Sequence, residues 1–196
     1  QINNRQTEVA LLLADAREQV RPLASIDLGI AKRDLKRDRD QENTLSNQIT
    51  DEMRAFTGAD IAILNGGGLR TDVAAGPINY ALLFRIFPFN NRAWILGPAT
   101  TQQLLSLFDR AATSCGAHGS LFQSGLKIRY SRDCVNRNVN GIDPKAQVET
   151  ISFQGQLIVD RSQTPPLFVE REFKIATIDF LGDGNGSGYK EFAAIK

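Results

Sequence analysis

The chain has 196 residues, of which 42% are hydrophobic and 23% charged, the balance of an ordinary globular domain with a sizeable core. Its 23 lysines and arginines against 22 aspartates and glutamates leave a formal net charge of +1, which gives no electrostatic case for binding DNA, RNA or an anionic membrane. No apolar run approaches the roughly 20 residues that a membrane-spanning helix needs. Because neither an initiator methionine nor a signal peptide precedes Gln1, we expect a mature or excised segment.

The first predicted element is a helix from Thr7 to Val20, in which apolar residues recur at near-helical spacing until Arg21-Pro22 stops it. It is either a linker helix that enters the domain or a helix packed on the domain, and the sequence leaves both alternatives open. Residues 25–31 are predicted to be extended. The mixed charges of residues 32–40 predict a solvated loop.

A second helix is predicted after Asn43, a suitable N-cap, and it ends at Gly58. Its expected apolar face consists of Leu45, Ile49, Met53 and Phe56. A short apolar strand at residues 60–64 follows directly and leads into a glycine-rich turn.

The remaining predicted elements are helices at residues 80–86 and 101–112, the second carrying Leu104, Leu105 and Phe108, and strands at 92–96, 126–130, 148–153, 156–159 and 173–178. Gln154-Gly155 predicts a turn between the middle pair of late strands. Because helices concentrate early and strands late, we predict a mixed α/β or α+β domain with helices packed outside its sheets.

The two cysteines, Cys115 and Cys134, are 19 positions apart in polar, glycine-containing sequence. A disulfide between them is typical of an oxidising compartment, and two unrelated thiols are the alternative. His118 is the single histidine, whereas hydrolytic two-metal centres draw on several imidazole and carboxylate ligands. We therefore expect His118 to lie in a surface loop and the chain to hydrolyse nothing alone.

The glycine-rich turn at residues 65–70 reads Asn-Gly-Gly-Gly-Leu-Arg. Its exposed backbone N–H groups and the Arg70 guanidinium suit an anion or a carboxylate. It is not a phosphate-binding P-loop, because no Lys-Ser/Thr follows the glycines, and it lacks the dinucleotide fingerprint. A tight turn with a structural arginine is the alternative.

Two further segments carry aromatic residues in loops. Residues 87–91 read Phe-Pro-Phe-Asn-Asn. A phenylalanine beside proline in a loop, such as Phe87, commonly fills a space in the core instead of binding a ligand. Residues 179–189 predict a mobile glycine-rich loop that displays Phe180, Asp183 and Ser187. Together with the turn at residues 65–70, these segments suggest a planar polar ligand such as a nucleoside, held between two aromatic faces.

The ordered motifs resemble the C-terminal domain of 5'-nucleotidases, a family that includes periplasmic UDP-sugar hydrolases and animal ecto-5'-nucleotidase. The resemblance covers residues 26–189 and rests on the segments 62–70, 76–80, 87–91, 121–126, 176–181 and 186–189. It implies a nucleoside-binding domain whose partner is an N-terminal metallophosphatase domain with two divalent metal ions and the catalytic His-Asp pair. No cofactor is then expected in this segment, and a periplasmic or extracellular location is implied.

The resemblance also assigns roles to single residues. Arg39, with Arg33 and Arg37 as nearby rivals, and Arg70 would face the phosphate or ribose. Asn65 would form a hydrogen bond to the base, and Gly67 of the same turn would also contact the substrate. Phe89 and Phe180 would stack on the two faces of the base. Ser187 occupies the position of the family's ribose-binding Asp, with Asp183 as a possible substitute, and Leu45-Ser46-Asn47 replaces the usual Leu-Gly-Asn.

The resemblance divides the chain into a linker or hinge helix at residues 1–22 and the substrate-binding domain at residues 23–196. The family's hinge-type closure would then use the first segment to bring substrate to the metals. Two alternatives remain, namely a stand-alone nucleotide-binding module and a degenerate interaction domain without hydrolase activity.

Overall fold

The computed structural model describes residues 2–115, 120–184 and 186–195, with side chains from residue 6 onward. The helices are α1 (Ile2–Ala24), α2 (Thr44–Thr57), α3 (Tyr80–Ile86), α4 (Thr101–Ala112) and α5 (Asp179–Gly182). The strands are β1 (Asp27–Ala31), β2 (Ile61–Asn65), β3 (Gly76–Asn79), β4 (Ala93–Thr100), β5 (Leu121–Ser124), β6 (Leu126–Ser131), β7 (Gln147–Phe153), β8 (Gln156–Asp160), β9 (Leu167–Phe168) and β10 (Glu172–Ile178).

The chain divides into two compact units. The first unit contains Gln1–Leu35 and Arg70–Phe89, and the second contains Lys36–Leu69 and Asn90–Lys196. The expected boundary at residue 22, between a linker or hinge helix and the substrate-binding domain, stays a prediction.

In the first unit, β1 pairs antiparallel with β3, and α1 precedes β1. The predicted stop of α1 at Arg21-Pro22 is wrong, because the helix contains Pro22 and ends at Ala24. A proline so close to the C-terminal end removes one hydrogen-bond donor, and only two helical residues follow it. Ser25 then caps the end, where its N–H and its hydroxyl both donate to the Arg21 carbonyl at 3.0 and 2.8 Å.

The apolar side chains of α1 lie largely in solvent. Val9, Leu12, Leu13 and Val20 are all at least half exposed. The apolar spacing that predicted the helix therefore does not correspond to a buried face in this chain.

The second unit contains two four-stranded sheets. The first has the order β4-β10-β2-β5, in which β10 and β2 run parallel and the other neighbours antiparallel. The other is the antiparallel sheet β6-β7-β8-β9. The core joins buried side chains of both sheets to α4, among them Ile63, Phe108, Ile151 and Phe173. The predicted mixed α/β class, with sheets flanked by helices, is confirmed.

Local sequence signals set the ends of α2 and α4. The Asn43 side chain accepts from the Ser46 N–H at 2.9 Å, and Gly58 is the C-cap that follows the last helical residue, Thr57. Thr100 and Gln103 form a capping box at the start of α4, whose predicted residues 101–112 are confirmed. The predicted apolar face is correct for Leu45, which is buried, and partly correct for Ile49 and Met53, which are partly buried. It is wrong for Phe56, which is 91% exposed. Ser46 and Thr50 are buried beside Leu45.

Several other predicted helices and strands are confirmed. The helix at 80–86, the extended segment before Ala31 and the four late strands are present with small changes at their ends. The short strands β3, β5 and β9 were not predicted. The expected loop at residues 179–189 is wrong in form, because the described residues there fold into α5 and a 3-10 turn at Gly186–Gly188.

The cysteine alternative is resolved in favour of pairing, because Cys115 and Cys134 form a disulfide. The bond joins the end of α4 to the segment after β6. The Cys115 N–H also donates to the Gly141 carbonyl at 2.9 Å. The surface-loop prediction for His118 lies outside the described residues.

Candidate functional site at the end of strand β2

The strand β2 delivers Asn65 to the end of the central sheet. All five residues of β2 are buried, and Gly66–Gly68 turns directly after it as a 3-10 helix. The Gly66 N–H donates to the Ser120 carbonyl at 2.8 Å. A Cβ atom at Gly66 would overlap the Arg39 backbone carbonyl and lie 2.8 Å from the Phe122 ring. Only glycine therefore lets the Arg39 backbone approach this turn.

Asn65 has one satisfied and one unsatisfied side-chain atom. The residue is 4% exposed, and its Nδ2 donates to the Ser187 hydroxyl oxygen at 3.1 Å. Its Oδ1 is buried without a hydrogen-bond partner among the described residues. Leaving such an acceptor unpaired costs about 1–3 kcal/mol, so a donor supplied from outside the chain would recover that energy.

The segment after β10 places Phe180 next to this pair. Phe180 is 47% exposed, and a Cβ atom at Gly186 would overlap the Phe180 carbonyl and lie 2.7 Å from its ring. Leu181 and Tyr189 are almost fully buried and anchor the segment on both sides. Gly186 therefore brings the Ser187 turn against the backbone of Phe180.

Trp94, the single tryptophan, packs against the same segment from β4. A Cβ atom at Gly182 would be 2.7 Å from the Trp94 Cε3 atom, so the indole ring rests directly on the Gly182 backbone. This contact is two residues from Phe180. Asp183 is exposed and its N–H donates to the Asp179 carbonyl at 3.1 Å. Asn185 lies outside the described residues.

Arg39 is held beside the glycine turn by its backbone. The Ser120 N–H donates to the Arg39 carbonyl at 3.2 Å, and the Ser120 hydroxyl donates to the Asp40 carbonyl at 2.8 Å. Within the described part of the chain, the exposed Arg39 guanidinium makes no hydrogen bond or ion pair. The rival Arg37 differs, because its guanidinium donates to the Leu69 carbonyl at 3.1 Å.

A charged turn fixes the segment that carries Arg39. The Asp38 carboxylate accepts from the N–H groups of Asp40 and Gln41 at 2.7 and 2.9 Å. These backbone hydrogen bonds hold the pKa of Asp38 below its usual value, so the turn keeps its charge at neutral pH.

The first unit holds the other two predicted residues together. The Arg70 guanidinium carbon lies 5.7 Å from the centre of the Phe89 ring, within cation–π range, and the Arg70 N–H donates to the Ile86 carbonyl at 3.0 Å. Phe89 is 48% exposed. Phe87 is only half-buried, and the fully buried residue beside it is Ile86. The third rival arginine, Arg33, is an exposed residue of this unit.

A separate cleft of about 430 Å³ lies in the second unit and was not anticipated from the sequence. Its lining includes Asp40, Glu42, Lys127, Tyr130 and Arg132. Burial raises the pKa of Tyr130, so the phenol stays protonated and able to donate. Of the described site residues Asn65, Phe180 and Ser187, none lines this cleft.

Metal ligands are not assembled in the described part of the chain. No group of three or more histidine, cysteine, aspartate or glutamate side chains among residues 2–115, 120–184 and 186–195 is placed to hold a metal ion. Likewise, no described helix has both the length and the apolar character needed to cross a membrane.

Fold and site together define a mixed α/β domain with a buried, half-satisfied amide at the end of a central strand. The family sequence model described as 5'-nucleotidase, C-terminal domain matches residues 6–194. The chain belongs to this family.

Individual relatives share the family likeness at low identity. Trifunctional nucleotide phosphoesterase protein YfkN of Bacillus subtilis (strain 168) is 27% identical over 158 residues, which are 79% of this chain and 10% of YfkN. Protein UshA of Escherichia coli (strain K12) is 21% identical over 182 residues, which are 91% of this chain and 29% of UshA.

The fold also matches a solved structure. The crystal structure of a 5'-nucleotidase precursor from Thermus thermophilus superposes with a TM-score of 0.69 at 22% identity, covering 92% of this chain and 34% of that one. The chain thus spans between a tenth and about a third of the length of these three proteins.

Proposed function

We propose that the chain is the nucleoside- and nucleotide-binding domain of a 5'-nucleotidase-type phosphohydrolase. The base stacks on Phe180 and Phe89, Asn65 bonds its edge, and Arg39 and Arg70 face the phosphate or ribose. Family membership supports this proposal, as do the names of relatives that describe nucleotide phosphoester chemistry.

The observation that carries the proposal is the unpaired Asn65 Oδ1. A base edge carries N–H donors, and one of them at this atom would satisfy a buried acceptor that the described chain leaves open. The half-exposed Phe180 ring follows in the same unit and offers a stacking face. Base stacking on one aromatic side chain contributes about 1–3 kcal/mol, because every base has a π-face.

The arginines add charge at both parts of the proposed site. The Arg39 guanidinium has no partner among the described residues, which leaves its five N–H donors for an anion. Arg70 covers one face of the Phe89 ring, so a base would stack on the opposite face. Gly67, in the turn after β2, and Asp183, directly after α5, complete the set of residues that are proposed to contact the ligand.

Hydrolysis belongs to a different part of the protein in this proposal. An N-terminal metallophosphatase domain with two divalent metal ions carries out the chemistry, and this chain alone is inactive and contributes binding and orientation. The Cys115–Cys134 disulfide supports a periplasmic or extracellular location.

Calorimetric titration of the 196-residue chain with adenosine, AMP and glycerol phosphate, with and without a divalent metal, tests the proposal. We expect adenosine and AMP to bind independently of metal and glycerol phosphate not to bind. Absence of binding at millimolar adenosine and AMP would contradict the nucleoside site and favour a degenerate interaction domain. Phosphate release from AMP by the chain alone would contradict the division of labour.

Trp94 offers a second test, because its indole contacts the turn that carries Phe180. We expect adenosine to change the emission of this single tryptophan in a saturable way, and the change should yield the calorimetric dissociation constant. Glycerol phosphate is the ligand control. The response should disappear in F180A; an identical response in F180A would mean that adenosine binds elsewhere.

A further inference from the structure

Ser187 adopts a backbone conformation that serine rarely takes. Its φ is 52° and its ψ is 18°, in the left-handed region that a side chain disfavours. Gly186 and Gly188 flank it, and Gly186 packs on the Phe180 carbonyl. Unfavourable backbone conformations of this kind persist where the surrounding structure imposes them, commonly at ligand sites.

The hydroxyl of Ser187 contacts a single described side chain at a long sequence distance. It accepts a hydrogen bond from Asn65 Nδ2, 122 positions earlier in the chain. Since the side-chain amide is planar, fixing the nitrogen also fixes the oxygen on the other side of the group. The left-handed turn at Ser187 therefore determines where the buried, unpaired Oδ1 points.

We propose that Ser187 is a positioning residue that sets base specificity through Asn65, and that the preferred ligands are nucleosides whose base carries an exocyclic amino group. This inference rests on the proposed nucleoside site. With its nitrogen engaged by Ser187, Asn65 offers the ligand an acceptor only. In this arrangement the nitrogen is engaged by Ser187, and the oxygen is the amide atom that lacks a partner among the described residues.

An acceptor at Asn65 Oδ1 would favour some bases over others, because the edges of the bases differ in the hydrogen-bond donors that they carry. The amino group of adenine projects beyond the ring and donates without a neighbouring carbonyl oxygen. The ring N–H of hypoxanthine is flanked by a carbonyl oxygen, which would lie against Asn65 Oδ1 and repel it. Purine without a substituent at the amino position offers no donor there.

Titration of the 196-residue chain with adenosine, inosine and purine riboside tests the inference. We expect adenosine to bind about three- to tenfold more tightly than either of the others, the range of one neutral hydrogen bond. In S187A the Asn65 amide loses its partner, so this ratio should fall to about one. S187N should restore the ratio, because asparagine tolerates the left-handed conformation and keeps an acceptor oxygen.

S187G separates the backbone from the hydroxyl. It relieves the positive φ but removes the acceptor, so it should lose the ratio as S187A does while unfolding at a higher temperature than S187A. An unchanged ratio in S187A with weaker binding of all three ligands would show a merely structural role and overturn the inference. A preference of the unsubstituted chain for inosine would also overturn it. Failure of all three ligands to bind would instead reject the proposed nucleoside site.

Discussion

Replacing Phe180 with alanine should weaken adenosine binding by about 5- to 150-fold, the equivalent of one lost stacking contact of about 1–3 kcal/mol. Phe180 is half exposed on a segment whose neighbours Leu181 and Tyr189 are buried. The ring is therefore available to a ligand while its backbone is anchored. Calorimetry measures the change.

F89A should have an effect of the same order, with one difference. The Arg70 guanidinium lies over the Phe89 ring, so removing the ring also removes one contact of the arginine. We expect F89A to weaken AMP somewhat more than adenosine, because Arg70 is proposed to face the phosphate or ribose. The double variant should bind adenosine too weakly for calorimetry.

Each aromatic substitution has a matched control. Phe56 in the second unit is 91% exposed, and Phe84 in the first unit is 59% exposed, and neither belongs to the proposed site. F56A and F84A should leave adenosine affinity unchanged within about 0.5 kcal/mol, as surface substitutions do. If F180A and F89A behaved like these controls, the stacking proposal would be wrong.

Removing the Cys115–Cys134 disulfide should reduce the free energy of unfolding by about 3 kcal/mol, the chain-entropy estimate for a loop of this size. The loop closed by the bond contains β5 and β6, which belong to different sheets. Without the bond, the unfolded chain gains conformational entropy, while the hydrogen bonds of the native state are retained. Urea denaturation of the C115S/C134S variant measures the loss.

Reduction provides the control for the disulfide prediction. Dithiothreitol should shift the urea midpoint of the unsubstituted chain towards that of C115S/C134S and leave the variant unaffected. Adenosine affinity should survive in the variant, because neither cysteine contacts Asn65 or Phe180 among the described interactions. Insensitivity of the unsubstituted chain to dithiothreitol would mean that the thiols are not paired.

Local signals in the sequence were sufficient where the structure depends on neighbours along the chain. Asn43 and Gly58 predict the ends of α2, and the apolar spacing of residues 101–112 predicts α4; the structure confirms both helices. The rule that proline stops a helix gave the wrong end for α1, which contains Pro22 and continues to Ala24. Phe56 misled because helical spacing does not say which residues of an apolar stripe meet a neighbour, and this one lies near the end of α2.

The candidate site depends on pairings that local patterns do not encode. The hydrogen bond from Asn65 to Ser187 spans 122 positions. Ser120 joins the other two segments, because its N–H donates to the Arg39 carbonyl and its carbonyl accepts from the Gly66 N–H. Family motifs named Arg39, Asn65, Phe180 and Ser187, but they did not indicate that Asn65 and Ser187 bond each other. The choice of Arg39 over Arg37 gains support only from the Leu69 carbonyl that occupies Arg37.

The strand order of the central sheet has a consequence for how the chain is made. β10, at Glu172–Ile178, lies between β4 and β2, and it provides the only connection of β4 to the other strands of that sheet in the described chain. While the protein emerges from the ribosome, β2 and β5 can pair early, but β4 has no partner until residue 178 has been synthesised.

The second unit must therefore complete its fold after nearly all of its residues are available. A chain that ends before β10 keeps an unpaired β4 with its exposed Trp94 and Ile95, a template for pairing with another copy. Termination of translation before residue 178 would thus yield an aggregating product rather than a shortened domain.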